Sequence, residues 1–302
     1  MMQENKILLT ADAHYNKNEK RRRQFEIFLE KAVKVGPYRY VFFGGDMISG
    51  LGGKGLSYPE AKKNIQDFFQ TLNKYFLPKA YKNKQYFIAG NHELGYRFPW
   101  SPDKQGRLSE EALEIFEKEF NKLFFTLDNG QYKFLIVSSD LELISEKNKK
   151  IPESILKKKQ EQKEFYRDIL NETRTKNAEK IILMLHDPDA LNPMFKFLEQ
   201  HLDKIEKTFA GHHHTVWQRK LLEYSYRLAD NINFKDSRLI KKVAPNYWQK
   251  TLGDRQNYNI WRKCKLITIP APGGVLGAGG GFLVAYLTER GIKIQRMIPR
   301  KS

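Results

Sequence analysis

Short apolar runs with the composition of β-strands alternate with amphipathic helical stretches along most of this chain of 302 residues. The strands predicted in this part are Lys6–Thr10, Tyr40–Phe43, Tyr86–Ala89, Lys133–Val137, Ile181–Leu185 and Thr208–Ala210. Helical patterns over Arg21–Val35 and Tyr58–Phe76 separate the first three strands, and helical stretches separate most of the others. Strands that alternate with helices pair in parallel through crossover connections. The pattern therefore predicts an α/β fold with a largely parallel sheet.

The C-terminal part of the chain has a different pattern. Three predicted strands, Leu266–Ile269, Phe282–Leu287 and Ile292–Met297, follow one another without helical stretches between them. We expect them to be antiparallel and to form a second sheet packed on the first. The glycine-rich segment Pro272–Gly281 does not lead into a helix N-terminus. It is therefore interpreted as a turn or a close backbone approach rather than as a phosphate-binding loop.

The chain is strongly basic, with 53 Lys and Arg residues against 35 Asp and Glu residues and a formal net charge of +18. This charge favours an anionic partner, which is a phosphorylated substrate, an anionic membrane surface or a nucleic acid. Charge alone does not choose among the three.

Cysteine content and hydropathy bear on the compartment. Cys264 is the single cysteine, so the chain can form neither an intramolecular disulfide nor a thiolate metal cluster. A reducing compartment is the consistent interpretation. We find no apolar run long enough for a signal-peptide core or a membrane span. We therefore expect no integral membrane segment and a cytoplasmic protein, with peripheral attachment to the membrane as an alternative.

Five small polar clusters lie at or just past the C-terminal ends of predicted strands. They are Asp12-Ala13-His14, Gly45-Asp46, Gly90-Asn91-His92-Glu93, His186, and Gly211-His212-His213-His214. In an open α/β sheet, ligands bind in the crevice outside these strand ends, so residues far apart in sequence converge there. His, Asp and Asn side chains supply nitrogen and oxygen ligands for metal ions. The five clusters together predict a metal centre.

This series of motifs resembles that of the calcineurin-like metallophosphoesterase superfamily, whose pattern is D-x-H, G-D, G-N-H-[DE], H and G-H-x-H. The resemblance extends from Asp12 to His214. It implies a single metallophosphoesterase domain over residues 1–302 with a four-layer αββα sandwich, in which two mixed β-sheets are flanked by helices. The metal site of that fold lies at the C-terminal ends of the strands, and the terminal strands of this chain suit its second sheet.

The resemblance also implies the roles of the site residues. One divalent ion would be held by Asp12, His14, Asp46 and His214. The second would be held by Asp46 as a bridging ligand together with Asn91, His186 and His212. Mn²⁺ is the leading candidate for both ions, and Fe, Zn and Co are alternatives because the same ligand types suit all four metals.

The implied chemistry is hydrolysis of an anionic phosphoester substrate. Two ions about 3.5–4 Å apart clamp a phosphate and lower the pKa of a water between them. His92 matches the histidine of the superfamily that is not a ligand and that assists the leaving group. As an imidazolium, it could protonate that group.

Two positions depart from relatives within the superfamily. Many members carry a carboxylate three residues after the bridging Asp, where this chain has Ser49. A serine is a weaker, neutral partner and would do less to keep His92 protonated. The arginine-bearing motif of Ser/Thr protein phosphatases is also missing, since Ala89 precedes the motif that begins at Gly90. The chain is therefore not expected to belong to that branch.

Two segments are interpreted as insertions. The first, about residues 145–180, has a charged helical pattern that includes Lys157-Lys158-Lys159 and is expected to be a solvated surface helix. The second, about residues 215–265, interleaves aromatic with basic residues and begins directly after His214. It is either an ordinary amphipathic subdomain or a cap that shapes access of the substrate.

Three polar residues near these motifs are interpreted as structural. Asp187 and Asp189 flank Pro188 and are expected to turn the chain. His201 lies in a helical pattern and is expected on the surface.

The leading functional hypothesis is a dinuclear metal-dependent phosphoesterase that hydrolyses a phosphodiester or pyrophosphate bond. The basic and aromatic segment is similar in character to those of enzymes such as UDP-2,3-diacylglucosamine hydrolase, which act at the membrane surface on a lipid-bearing pyrophosphate. A nuclease or nucleotide phosphodiesterase is the alternative, with aromatic side chains stacking on bases. A non-catalytic scaffold with the same fold is a minor alternative.

Overall fold

A computed structural model describes residues 5–15, 18–48, 58–76, 84–94, 108–146, 151–175, 179–212, 257–272 and 281–298 of the chain. The strands are β1 (Asn5–Thr10), β2 (Tyr40–Phe43), β3 (Gln85–Phe87), β4 (Phe125–Asp128), β5 (Tyr132–Ile136), β6 (Lys180–Leu185), β7 (Ile205–Ala210), β8 (Leu266–Thr268), β9 (Phe282–Thr288) and β10 (Gly291–Met297). The α-helices are α1 (Glu19–Val35), α2 (Tyr58–Phe76), α3 (Asn91–Leu94), α4 (Glu110–Glu119), α5 (Ser139–Leu143), α6 (Glu153–Thr175) and α7 (Leu191–Leu198). Two 3₁₀ turns, Pro188–Ala190 and Glu199–His201, flank α7, and a further helix covers residues 257–263. Within these ranges, none of the helices combines the length and the apolar composition that a membrane span requires.

These strands form two five-stranded mixed sheets. The first has the order β10-β9-β1-β2-β3, in which β1, β2 and β3 are parallel and β9 is antiparallel to β1. The second has the order β4-β5-β6-β7-β8, in which β5 to β8 are parallel and β4 is antiparallel to β5. The parallel strands of each sheet end at a common edge, where the connecting loops can meet.

Alternation of side chains along the central strands divides the core into layers. In β1, Leu8 packs with α1 and α2, whereas Ile7 and Leu9 lie in a cluster shared by the two sheets. In β6, Met184 joins that central cluster, whereas Leu183 packs with α6 and α7. The sheets therefore stack face to face with helices on their outer faces, which confirms the expected αββα sandwich.

The terminal strands do not form a second sheet of their own, which corrects the sequence-based expectation. β9 pairs with β1 and β10 pairs with β9, so both extend the first sheet, while β8 joins β7 in the second sheet. The second sheet is built mainly from the middle of the chain, from β4 to β7. β2 pairs with only one edge of β1, so the backbone N–H and C=O groups of the other edge need partners. The β9–β10 hairpin supplies these partners by pairing through β9.

Two local features also differ from expectation. β4 was not predicted, because it is four residues long, lies at a sheet edge and lacks a buried apolar run. His201 is 1% exposed rather than on the surface, and its ring packs 4.9 Å from that of Phe197. The residues after α7 form a 3₁₀ turn, which has three residues per turn instead of the 3.6 of an α-helix. Extending the α-helical period to His201 therefore places its side chain on the exposed face, whereas the 3₁₀ turn directs it into the interior.

α6 is more than a solvated surface helix. It buries Tyr166 and Leu170 against the second sheet. Lys159 is also buried, and its Nζ donates to the carbonyl oxygens of Glu142 at 3.3 Å and Ile144 at 2.6 Å. The expectation of a solvated lysine run is therefore wrong for Lys159, because the segment at the end of α5 supplies acceptors for its ammonium group.

Gln162 joins α6 to the segment that follows β5. Its Oε1 accepts from Ser138 N at 2.8 Å, and its Nε2 donates to the Ser138 carbonyl at 3.0 Å and to Glu142 Oε1 at 2.8 Å. We expect Gln162→Leu to lower the free energy of unfolding by about 2–3 kcal/mol, because buried backbone groups of Ser138 lose their partners. Urea unfolding followed by circular dichroism measures this change. Gln160→Leu on the exposed face of α6 is the control, and an equal loss in both variants would contradict the assignment.

Candidate metal centre

The predicted site residues lie at one edge of the two sheets, each just after a strand. Asp12 and His14 follow β1, Asp46 follows β2, Asn91 and His92 open α3 after β3, His186 follows β6, and His212 follows β7. The fold thus brings residues from both sheets to a common place. His214 and Ser49 lie outside the described residues.

The candidate ligand atoms fall into two groups that share one carboxylate. One group contains His14, Asp46 and His92, and the other contains Asp46, His186 and His212, with the ligand atoms of each group within 4.8 Å of one another. A carboxylate has two oxygens and can serve two ions at once. Two adjoining groups with a shared carboxylate suit a dinuclear centre.

His186 lies at the centre of the second group. Its Nδ1 is 2.8 Å from the carbonyl oxygen of Gly44, which can only accept, so Nδ1 carries a proton. In the neutral ring, Nε2 then presents its lone pair to the site. Facing Nε2 are Asp46 Oδ2 at 3.2 Å, Asn91 Oδ1 at 3.3 Å and His212 Nδ1 at 3.3 Å. These four atoms are ligand types of a divalent cation, and the Gly44 carbonyl orients the central one.

The first group is more open. The rings of His14 and His92 meet edge to face with centroids 4.5 Å apart, and His92 Nε2 lies 3.9 Å from Asp46 Oδ2. The side chain of His92 is 34% exposed, whereas that of Asp46 is 1% exposed. Distance alone would allow His92 to act as a ligand beside His14. Its assignment to the leaving group stays a prediction.

Asp46 uses its two carboxylate oxygens differently. Oδ1 accepts from the backbone N–H of His92 at 2.8 Å. Oδ2 is buried, accepts no hydrogen bond of good geometry from the described residues, and faces the ring nitrogen of His186. A buried carboxylate oxygen is unfavourable unless a cation approaches it, which in the absence of an ion is the protonated ring of His186. The residues present therefore fit a divalent ion beside this oxygen.

Charges within the site keep Asp46 ionised. Burial would raise the pKa of Asp46, but the imidazoles of His186, His92 and His14 outweigh burial and hold that pKa well below its usual range. Burial would lower the pKa of His186, but Asp46 outweighs it and raises the pKa of His186 well above its usual value. Burial, with the charge of Asp46 added, raises the pKa of Asp12. Before ions bind, His186 therefore holds a proton beside Asp46, and a divalent cation would replace it.

Four of the candidate ligands have left-handed backbone conformations. The φ angles are 55° for Asp12, 46° for His14, 53° for Asp46 and 65° for His212. Such conformations are strained in residues with a Cβ and cluster at functional sites. Asp12 N donates to the Gly45 carbonyl at 2.8 Å, His14 N donates to the Asp46 carbonyl at 2.9 Å, and His212 N donates to Asp12 Oδ2 at 3.0 Å. The first two bonds join the loops after β1 and β2, and the third joins the loop after β7 in the second sheet to the loop after β1.

Glu93 holds the loop that carries Asp46. Its buried carboxylate accepts from the N–H groups of Asp46 at 2.8 Å, Gly90 at 2.9 Å and Ile48 at 3.0 Å. Burial, with the charge of Asp46 added, raises the pKa of Glu93 to about 7. Glu93 belongs to the motif that begins at Gly90, but no role of its own was predicted for it. The sequence does contain a signal for this role, since Glu93 is an acidic residue in the first turn of a helix that follows a strand. The backbone N–H groups of a first turn have no acceptor within the helix and can donate to such a carboxylate.

Gly90 allows α3 to approach Asp46 closely. A Cβ at Gly90 would lie 2.3 Å from Asp46 Oδ1 and 2.4 Å from Asp46 N. Real Cβ atoms do not come that near, so any side chain at this position would displace Asp46. The glycine of the motif is therefore required by packing against the carboxylate.

Two carboxylates that the sequence analysis did not assign to the site lie beside it. Asp140, in α5 after β5, is buried, and burial raises its pKa well above the usual range although His186 acts in the opposite direction. Asp187 Oδ2 lies 3.5 Å from His212 Nε2. Asp187 Oδ1 accepts from Asp189 N at 2.9 Å, so Asp187 also makes the expected turn. The sequence could have indicated Asp140, because it follows the end of a strand as the other site residues do. No sequence pattern indicates the contact of Asp187 with His212.

The end of the predicted 215–265 segment contacts the loop after β6. Asn257 Nδ2 donates to Asp189 Oδ1 at 2.9 Å, and Trp261 Nε1 donates to the Pro188 carbonyl at 3.1 Å. Both acceptors lie just after His186 in sequence. Residues 213–256 are outside the described part of the chain, so the function of this segment as a cap stays a prediction.

The sequence matches a protein-family model, and the fold is similar to those of solved structures. The family model for calcineurin-like phosphoesterases matches residues 5–216. A dimetal phosphatase from Danio rerio superposes with a TM-score of 0.56 at 14% identity, over 98% of this chain and 96% of that one. The GAP50 anchor of the inner membrane complex of Plasmodium gives a TM-score of 0.47 at 11% identity, over 99% and 85% of the two chains. The NAD nucleotidase of Haemophilus influenzae gives 0.40 at 13% identity, over 98% of this chain and 50% of that one. No curated protein matches the sequence at a significant level.

Proposed function

The chain belongs to the calcineurin-like phosphoesterase family, and from this membership we propose that it is a dinuclear metal-dependent hydrolase of phosphodiester or pyrophosphate bonds. The observation that carries the proposal is the pair of ligand groups that share Asp46. Asp46 Oδ2 is buried between these groups without a hydrogen bond of good geometry from the described residues. A structural role alone would not require this concentration of imidazoles and carboxylates at one edge of the sheets.

The proposed ligands follow the motif order of the family. One ion, Mn²⁺ in the first instance, is held by Asp12, His14, Asp46 and His214, and the second by Asp46, Asn91, His186 and His212. When bound, the two ions polarise the phosphoryl group and lower the pKa of the attacking water. Two hydrogen bonds orient these ligands. The Gly44 carbonyl accepts from His186 Nδ1, and the Asp12 carboxylate accepts from the backbone N–H of His212.

His92 is proposed to protonate the leaving oxygen. Its side chain is partly exposed at the edge of the site, and its backbone N–H is fixed on Asp46 Oδ1. An imidazolium in this place could transfer its proton to an alkoxide or phosphate as the bond to phosphorus breaks. A general acid of this kind contributes typically about 10²–10⁴-fold to the rate.

The proposed substrate carries negative charge besides the scissile group, as a lipid-linked or nucleotide diester or pyrophosphate does. The chain has a net charge of +18. Arg21, exposed at the start of α1, donates from Nη1 to the carbonyl oxygen of His14 at 3.4 Å. A guanidinium beside a candidate ligand can bind a second phosphate of the substrate. We propose a cytoplasmic enzyme, which attaches to the membrane surface if the substrate is a lipid.

The test is metal-dependent turnover. Protein stripped of metal is reloaded with Mn²⁺ and assayed on bis-p-nitrophenyl phosphate, p-nitrophenyl phosphate, nucleotide diesters and pyrophosphates, and lipid pyrophosphates. We expect the diester to be hydrolysed faster than the monoester, with activity lost in EDTA and restored by Mn²⁺. Binding to anionic liposomes and to oligonucleotides at two salt concentrations then distinguishes a lipid from a nucleic-acid substrate. Absence of metal-dependent turnover on every substrate would contradict the proposal and favour a non-catalytic scaffold.

A further inference from the structure

We propose that Asp187 is a positioning residue that orients His212 and determines which of its ring nitrogens faces the metal ion. This inference rests on the metal-dependent function proposed above. The motif of the family identifies His212 but says nothing of Asp187, which the sequence suggests only as a turn residue.

The His212 ring lies between the ligand group and the Asp187 carboxylate. Its Nδ1 is 3.3 Å from His186 Nε2, on the side of the candidate ligands. Its Nε2 is 3.5 Å from Asp187 Oδ2, and the two side chains are only 12% and 15% exposed. An ionised carboxylate can only accept a hydrogen bond, so it favours the tautomer that carries the proton on Nε2. That tautomer leaves the lone pair of Nδ1 directed at the ion.

Asp187 is itself held in place by two other contacts. Its backbone N–H donates to Ser139 Oγ at 3.0 Å, which ties it to the segment after β5. Its Oδ1 accepts from Asp189 N at 2.9 Å and caps the turn Pro188–Ala190. The second oxygen, Oδ2, is thereby directed at His212. The carboxylate therefore has a fixed position from which to orient the ring.

The turn does not explain why this residue is an aspartate. Capping needs one acceptor oxygen, and Ser or Asn supplies it as well as Asp does. Only a carboxylate presents a second acceptor to His212 at the same time. In Asp187→Asn, one atom remains to cap the turn, but an amide N–H faces His212 Nε2 and favours the tautomer with the proton on Nδ1. In Asp187→Ser, the cap is retained and the side chain is too short to reach the ring.

These two variants provide the test, with Asp189→Asn as the matched control. Protein stripped of metal is titrated with Mn²⁺ in a calorimeter. We expect two binding events in the wild type, and one of them weakened by about 10–100-fold in both Asp187 variants, the range for loss of an outer partner of a histidine ligand. Asp187→Asn should lose more affinity than Asp187→Ser because it favours the wrong tautomer. Long-range ¹H–¹⁵N spectra of the Zn²⁺-loaded wild type should show the proton of His212 on Nε2.

The outcomes separate this inference from the proposed function. Wild-type Mn²⁺ affinity at both sites in both Asp187 variants would overturn the inference alone. So would loss of secondary structure in both variants before metal is added, since Asp187 would then be a structural residue. A wild type that binds two Mn²⁺ ions but hydrolyses no phosphoester would overturn the proposed function and leave the orientation of His212 by Asp187 intact. An equal loss of affinity in Asp189→Asn would also count against Asp187 as the specific partner.

Discussion

Asp46→Asn is expected to lower metal-dependent hydrolysis of bis-p-nitrophenyl phosphate by more than about 100-fold, beyond the 10–100-fold typical of outer partners of metal ligands. Asp46 is the residue that the two ligand groups share, and an amide there carries no charge and offers one oxygen instead of two. Both ions should therefore bind more weakly. The measurements are kcat/KM at increasing Mn²⁺ concentration and the number of Mn²⁺ ions bound per chain.

The control for this variant is Asp168→Asn, the same chemical change on the exposed face of α6. It should leave both kcat/KM and metal content unchanged. Asp46→Asn can still accept from the backbone N–H of His92, so we expect its circular dichroism spectrum to match the wild type. A variant that kept more than a tenth of the wild-type activity with two ions bound would show that Asp46 is not the shared ligand.

Glu93→Ala is expected to lower the free energy of unfolding by about 3–5 kcal/mol in protein stripped of metal. The substitution leaves the N–H groups of Asp46, Gly90 and Ile48 without their acceptor, and each buried unsatisfied group costs about 1–3 kcal/mol. Chemical unfolding without metal separates this effect from loss of the ions. Because two of these bonds hold the loop that presents Asp46, activity should fall as well.

Two further variants make the Glu93 prediction specific. Glu93→Gln retains one acceptor oxygen and should lose less stability than Glu93→Ala. Glu114→Ala, an exposed position in α4, should change the free energy of unfolding by less than about 0.5 kcal/mol. Similar small effects at Glu93 and Glu114 would mean that water replaces the carboxylate, and that Glu93 does not hold the loop.

Much of the fold could be predicted because its central strands are short apolar runs that differ sharply from the helices around them. β2 and β6 are examples, since nearly all of their side chains are buried. The sheet to which the C-terminal hairpin belongs could not be predicted in this way. β9 is buried along most of its length and would suit either sheet, so its pairing with β1 depends on which edge remains open. Burial of Lys159 likewise depends on carbonyl groups of a distant segment.

The candidate site likewise has a part that could be predicted from the sequence and a part that could not. That Asp12, Asp46 and His186 lie close together could be predicted because each follows a strand, and the edge of a sheet brings such positions together. The contact of Asp187 with His212 joins the ends of β6 and β7, and its geometry depends on the loop conformation and on the position of Ser139. Local sequence patterns carry no information about such contacts. They predict which residues gather at the site but not how they orient one another.

The pairing of β1 with β9 has a consequence for the order in which the protein is made and folds. β1 leads directly to Asp12 and His14, yet one of its neighbours spans Phe282–Thr288, almost the whole chain away. A ribosome releases the N-terminal part first, so β1 must wait with an open edge until nearly all of the chain has emerged. Contacts of such long range also form slowly. Full pairing of the strand that leads to Asp12 and His14 is therefore a late step of folding.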